Sequence, residues 1–186
     1  MTGRSLVRRL GDLDAQAYAA VARTPTSDAV DVALRRLSRA ANHSKISFTV
    51  AAVLATRPGA PRLAAATGAG AVGVASVTAN LLAKRLARRH RPARAETGLF
   101  PRRYVMMPRS ASFPSGHTAS AVAFAIAVGK LLPAAAAPLG ALAAVVGYSR
   151  VHTGVHYPGD VAGGVVLGAG SAALVLGVGR RIRRGL

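Results

Sequence analysis

Charged residues are clustered along the chain, and four long stretches carry none at all. Asp, Glu, Lys and Arg are absent from 63–83, 110–129, 131–149 and 161–179. Each stretch has 19 to 21 residues, close to the roughly 20 apolar residues with which a helix crosses a bilayer. Glycines recur within them, among them Gly68, Gly70, Gly73, Gly163, Gly164, Gly168 and Gly170. Such residues weaken a helix in water but let helices in lipid approach closely. The pattern predicts an all-α, polytopic membrane bundle with four clear transmembrane helices. Another uncharged run, 46–56, has 11 residues, short for a full crossing, and stands as a possible fifth. A soluble bundle of wholly buried helices is the alternative, but a chain this small has too little polar surface to cover four of them.

The first 45 residues follow a different pattern. They read as a basic amphipathic N-terminal region, and residues 46–186 as the membrane-embedded domain. Ser27 is placed to cap a helix beginning at Asp28, with Val30, Leu34 and Leu37 on one face and Arg35, Arg36 and Arg39 elsewhere. That helix suits a membrane surface, or an exposed position against the bundle. Arg4, Arg8 and Arg9 are not followed by the apolar core of a cleavable leader. Pro58, Pro61, Pro133 and Pro138 mark connections between helices. A basic tail runs from Arg180 to Arg184.

Composition sharpens this picture. The chain of 186 residues has 25 Lys+Arg against 6 Asp+Glu, a formal net charge of +19. It is also 51% hydrophobic, which a disordered basic tail would not be. No Cys is present, which excludes disulfides and thiolate chemistry. Aromatics make up 4%, with no Trp, too few for a platform that stacks bases. The basic residues border the predicted spans, so the charge does not point to a nucleic-acid partner.

Three polar clusters fall at predicted helix ends: Lys84 to Pro92, Pro114-Ser115-Gly116-His117, and Ser149 to Asp160. The span after Ser115 leads away from the first cluster and the next returns near Arg150, so all three share one membrane face. Arg offers a planar fork of donors for phosphate oxygens, and Lys a compact charge. Ser115 and Gly116 open a helix, where free backbone N–H groups meet an anion. His117 and His156 can exchange a proton or attack near neutral pH. Asp160, four residues after His156, is positioned to hydrogen-bond one imidazole nitrogen. It is the one acidic residue from Thr97 onward. A metal held by His117, His152, His156 and Asp160 is disfavoured by the surrounding cations; His152 reads as structural.

In order and spacing, Lys84-x6-Arg91-Pro92, Pro114-Ser115-Gly116-His117 and Ser149-Arg150-x5-His156-x3-Asp160 resemble the three-part signature of the type-2 phosphatidic acid phosphatase family. The resemblance implies an integral membrane lipid phosphatase, a hydrolase without a metal cofactor that acts through a phosphohistidine. His156 would be the nucleophile, Asp160 its partner, and His117 the proton donor to the leaving group. Lys84, Arg91, Ser115, Gly116 and Arg150 would bind the substrate phosphate. Size and Ala/Arg/Gly-rich composition are similar to an actinobacterial subgroup acting on decaprenylphosphoryl phosphoribose, an arabinan precursor of the cell wall. Phosphatidic acid, phosphatidylglycerol phosphate and polyprenyl diphosphate are rival substrates. A non-catalytic binder or translocator of anionic lipids is the rival function. The run around Leu99, Phe100, Tyr104, Val105, Met106 and Met107 either steers a lipid tail or packs at the interface.

Sidedness depends on the short run. Ten Lys/Arg lie on the face with the site, seven on the opposite face and eight in residues 1–45. Cytoplasmic loops are enriched in Lys and Arg, so four spans favour a site facing outward and five a site facing inward. The family resemblance implies a multi-pass protein of the cell membrane with an extracytoplasmic site.

Overall fold

The computed structural model describes residues 3–185; the side chains of Arg4, Val7, Leu82, Ala83, Lys84, Leu86, Ala95, Arg183 and Arg184 lie outside that description. Among the described residues, regular structure is entirely helical. In chain order the helices are α1 (Gly3–Arg23), α2 (Asp28–Ala40), α3 (Lys45–Ala55), α4 (Ala60–Val77), α5 (Lys84–Ala87), α6 (Arg94–Thr97), α7 (Gly116–Leu131), α8 (Ala136–His152) and α9 (Pro158–Gly185). A π-helical segment, Thr78–Ala83, carries α4 into α5, and a 3₁₀ turn, Asn42–Ser44, joins α2 to α3.

Local chemistry sets these boundaries. Ser27, in an extended conformation, accepts from the Val30 amide, and Asp28 and Asp31 occupy the positive first turn of α2. Pro61 and Pro138 sit in the opening turns of α4 and α8 rather than in the connections, since a first turn has no use for the missing N–H. The basic tail continues α9 as helix instead of leaving it.

Helix α7 is the hub, packed against α4, α8 and α9. Its alanines Ala119, Ala123 and Ala127 form one core with Ala71 and Ala75 of α4 and Ala172 of α9. Small residues are needed here because the backbones nearly touch. A Cβ on Gly168 would lie 2.5 Å from the Ala119 carbonyl oxygen, and one on Gly164 2.7 Å from that of Ser115. A second core joins Ala51 of α3, Ala64, Ala65 and Val72 of α4, and Phe124 and Val128 of α7.

Among the described residues, three helical stretches are long and apolar enough to cross a membrane: Ala60–Leu81, Pro133–His152 and Pro158–Ile182. The uncharged run 110–129 does not form an equally long helix. Its first six residues make an extended loop, and α7 has 16 residues, about 24 Å at 1.5 Å per residue. Within that loop Ser112, Pro114 and Ser115 are buried, and Ser112 and Ser115 belong to the site described next.

The N-terminal helices cover the end of the bundle where α8 finishes and α9 begins. The inward face of α2 consists of Asp31, Leu34 and Ser38, while Val30 is exposed. Helix α2 packs against the bundle through this face, with polar anchors among its contacts. Asp31 accepts from Arg103 Nε at 2.8 Å and lies 2.8 Å from His152 Nε2, and it also pairs with Arg102. Burial alone would raise its pKa; hydrogen bonds from Arg102, Thr26 and His152 and the nearby Arg103 charge outweigh that and hold it well below the usual carboxylate range.

Candidate active site

Three chain segments meet at one end of the bundle. The N-terminus of α7 supplies Ser115, Gly116 and His117; the C-terminus of α8 supplies Arg150; the α8–α9 connection and first turn of α9 supply His156 and Asp160. The Val155 and His156 amides both donate to the Arg150 carbonyl, at 3.1 and 3.2 Å, so the chain folds back immediately after α8. The Ser115 amide donates to the Asp160 carbonyl at 2.9 Å, stitching α7 to α9. The second and third polar clusters, with Arg89 and Arg91 of the first, thus meet at one end of the bundle.

His156 is 2% exposed, with Nδ1 3.3 Å from Asp160 Oδ2 and Nε2 3.3 Å from Arg91 Nη1. An arginine can only donate and a carboxylate only accept, so these partners assign the proton to Nδ1 and a lone pair to Nε2. Burial, reinforced by the charges of Arg91 and Arg150 and opposed by Asp160, pushes the His156 pKa down to about 4. The imidazole is therefore neutral at physiological pH.

Asp160 has no solvent exposure, and its oxygens are fully engaged. Besides His156 it accepts from the Ser112 hydroxyl, from the Tyr157 amide at 2.8 Å and from Arg89 at 3.0 Å. Arg89 also pairs with Asp14 of α1 at 2.7 Å and lies over the Tyr157 ring, 4.1 Å from its centroid. Asp14 in turn accepts from the Gly159 amide at 2.7 Å. Arg91 donates to the carbonyls of Ser110, Ala111 and Val155 at 3.0, 3.2 and 2.6 Å. It therefore ties the loop before α7 to the loop before α9 with its guanidinium beside His156.

A cavity of about 620 Å³ opens next to this cluster. Gly116, His117 and Arg150 line it together with Ser76 from the end of α4, Asn80 from the π-helical segment, Ser38 and Asn42 from the α2–α3 region, and Val105 and Met106. Of the apolar run that includes these two, Leu99 is buried with Tyr18, Ala22 and Val151, whereas Met106 is 90% exposed. Arg150 is buried, giving Nη1 to the carbonyl and hydroxyl of Ser38 at 3.0 and 2.7 Å. His117 Nε2 is 2.9 Å from Asn42 Oδ1. Ser115 is buried, and its hydroxyl accepts from the Thr118 hydroxyl at 2.9 Å as it caps α7.

The expected residues therefore divide into cavity-lining Gly116, His117 and Arg150, buried Ser115, His156 and Asp160, and half-buried Arg91 against His156. The Lys84 side chain lies outside the described residues. The three histidines considered as a metal set have separate partners, Asn42 for His117, Asp31 for His152 and Asp160 for His156. Sequence reasoning missed Arg89, Ser112, Ser38 and Asn42. Arg89 is one of the unspecified positions within Lys84-x6-Arg91, and Ser112 lies two residues before Pro114; only that proximity signalled them. Nothing local marked Ser38 or Asn42.

The family model of the PAP2 superfamily matches residues 63–184. Two strains of Mycobacterium tuberculosis, CDC 1551 / Oshkosh and ATCC 25618 / H37Rv, each have a decaprenylphosphoryl-5-phosphoribose phosphatase that is 40% identical to this chain over 116 residues. That alignment covers 60% of this chain and 59% of the length of those relatives. The fold is similar to a transmembrane PAP2 type phosphatidylglycerolphosphate phosphatase from Bacillus subtilis, with TM-score 0.70 and 24% identity over 94% of this chain and 88% of that one. It is also similar to Aquifex aeolicus LpxE, with TM-score 0.68 and 22% identity over 87% of this chain and 93% of that one.

Proposed function

The chain belongs to the PAP2 superfamily, and we propose on that footing that it is an integral membrane lipid phosphatase working through a phosphohistidine on His156. The observation that carries this reading is the His156 ring, neutral and fixed by Asp160 with its lone pair on Nε2, beside a cation-lined cavity.

In the first step Nε2 of His156 forms a bond to phosphorus as the bond to the leaving oxygen breaks. His117 gives that oxygen a proton, so a neutral alcohol departs. The phosphoimidazolium keeps its Nδ1 proton against Asp160, whose charge offsets the positive ring. In the second step water attacks phosphorus, His117 takes its proton, the N–P bond breaks and inorganic phosphate leaves. Lys84, Arg91 and Arg150, with the Gly116 amide and the Ser115 hydroxyl where α7 opens, would hold the nonbridging oxygens. Positioning and charge stabilisation of this kind supply most of phosphoryl-transfer catalysis. The Arg91 N–H now beside Nε2 would turn to a phosphate oxygen as substrate enters. Fixed cations would occupy the role that a metal plays elsewhere, so turnover is expected in EDTA.

For the substrate, the 40% identity to the mycobacterial phosphatases favours a polyprenyl-linked phosphate such as decaprenylphosphoryl phosphoribose. In the membrane, α4, α8 and α9 would be joined by the shorter α7 as a fourth crossing, with α3 a partial fifth, and the site would face outward. Residues 1–45 would lie at the interface. Leu6, Leu10 and Leu13 form an exposed stripe on α1 beside Arg9, which suits the boundary between headgroups and acyl chains. A phosphate-release screen across lipid phosphates in detergent and EDTA tests the reading. Release from a polyprenyl phosphate by the parent but not by His156→Ala supports it; equal release by both, or strict dependence on an added divalent ion, overturns it.

A further inference from the structure

The turn from α2 to α3 precedes the stretch matched by the family model, yet it touches two residues of the site. Ser38, buried on the last turns of α2, holds Arg150, and four residues on Asn42 Oδ1 lies 2.9 Å from His117 Nε2. The helix that delivers both is itself fastened through Asp31 to Arg103 and His152. Immediately after Asn42 the backbone is unusual. His43 and Ser44 both adopt φ 56°, the left-handed region, which costs an L residue about 1–2 kcal/mol. Consecutive non-glycine residues hold such a conformation only where their surroundings over-determine it, and that strain gathers at functional sites. The bend leaves Asn42 on the cavity wall with its amide oxygen against the imidazole.

We infer that Asn42 is a positioning residue for His117, accepting from Nε2–H and fixing the ring so that the Nδ1 proton is the one exchanged with the leaving oxygen. The inference rests on the phosphatase reading above and adds a residue from outside the signature. An amide oxygen accepts from Nε2–H whether the ring is charged or neutral. The contact therefore persists while the Nδ1 proton moves to the departing alkoxide and is later replaced from water. Asn42 touches neither phosphorus nor the leaving group in this account; it acts through His117.

The test uses the full chain in detergent and two substrates, a long-chain alkyl phosphate and p-nitrophenyl phosphate. The alkoxide needs a proton to depart and nitrophenolate does not. The readout is kcat/KM, which reports the steps up to departure of the leaving group. Asn42→Ala is expected to lower kcat/KM about 10- to 100-fold for the alkyl phosphate, the scale of a misplaced acid catalyst. For the nitrophenyl ester the change should stay within about threefold, since that step draws little on general acid catalysis. Asn42→Asp, which keeps an acceptor oxygen in place, should restore most of the alkyl activity. Equal losses on both substrates, no loss, or failure of Asn42→Asp to restore activity would overturn the inference. His117→Ala separates the levels. If it lacks the leaving-group selectivity, the acid assignment itself fails; if it shows the selectivity and Asn42→Ala does not, only the role of Asn42 fails.

Discussion

Replacing Asp160 by Asn exchanges one oxygen for an NH₂ group in a buried position where all the neighbours are donors. Asp160 accepts from the Ser112 hydroxyl, the Tyr157 amide, Arg89 and His156 Nδ1. Asparagine keeps the shape but loses the charge and half the accepting capacity. If its NH₂ faces His156, Nδ1 must become the acceptor, and the proton moves to Nε2, the atom that attacks phosphorus. The same substitution also removes the charge that offsets the phosphoimidazolium. A buried carboxylate that fixes a catalytic histidine tautomer is worth about 10⁴ in kcat, or roughly 5.5 kcal/mol of barrier. Stability should change less. Arg89 keeps its 2.7 Å pairing with Asp14, so the cost is that of one disturbed buried hydrogen-bond set, about 1–3 kcal/mol. The assay is single-turnover phosphate release in detergent, with thermal unfolding followed on the same preparation. A folded Asp160→Asn protein that retained kcat within about tenfold of the parent would refute the assignment of tautomer and role.

Three other outcomes follow from the same geometry. The imidazole ¹⁵N resonances assigned to His156 by their loss in His156→Ala should titrate near pH 4 in the free protein, with the ring neutral above and charged below; removing a positive neighbour by Arg91→Gln should move that midpoint upward, and an unperturbed midpoint near 6.5 would contradict the buried site. Asp31→Ala leaves Arg103 buried without its carboxylate, a loss on the scale of about 3–5 kcal/mol; because the native Asp31 pKa is depressed, its contribution should be present above pH 3.8 and fade as pH falls below it, measurable as a narrowing gap in unfolding temperature between parent and variant. Leu10→Trp places the single tryptophan of the chain on the exposed face of α1; in nanodiscs its emission should be blue-shifted and quenched by brominated acyl chains, whereas quenching by aqueous acrylamide alone would place α1 away from the bilayer.

The bundle and the signature are legible in the sequence for different reasons. Charge-free length reports the cost of polar groups in hydrocarbon, so the runs around α4, α8 and α9 emerge without knowledge of packing. The three motifs are short, and a phosphate site needs particular donors at helix ends, so His117, Arg150, His156 and Asp160 stand out locally. What the pattern misses depends on contacts across the chain. Asp31 reads as a first-turn helix acid, and its partners Arg103 and His152 are more than 70 residues away. Asn42 follows an ordinary amphipathic helix and gains meaning only when α7 brings His117 to it. Residues 110–115 share the uncharged run that continues into α7, and nothing in that run sets Ser112 apart, yet Asp160 accepts from its hydroxyl. Polar residues without charge are invisible to that criterion.

The central claim is that phosphorus passes through a covalent bond to His156 Nε2. Rapid-quench mixing of the protein with a ³²P-labelled lipid phosphate, followed by peptide mapping, addresses it directly. The account predicts an acid-labile, alkali-stable phosphoryl group on the peptide containing His156, formed and consumed at rates that match turnover and absent from His156→Ala. Label on another residue, or turnover at full rate with no phosphoprotein at any mixing time, would contradict it.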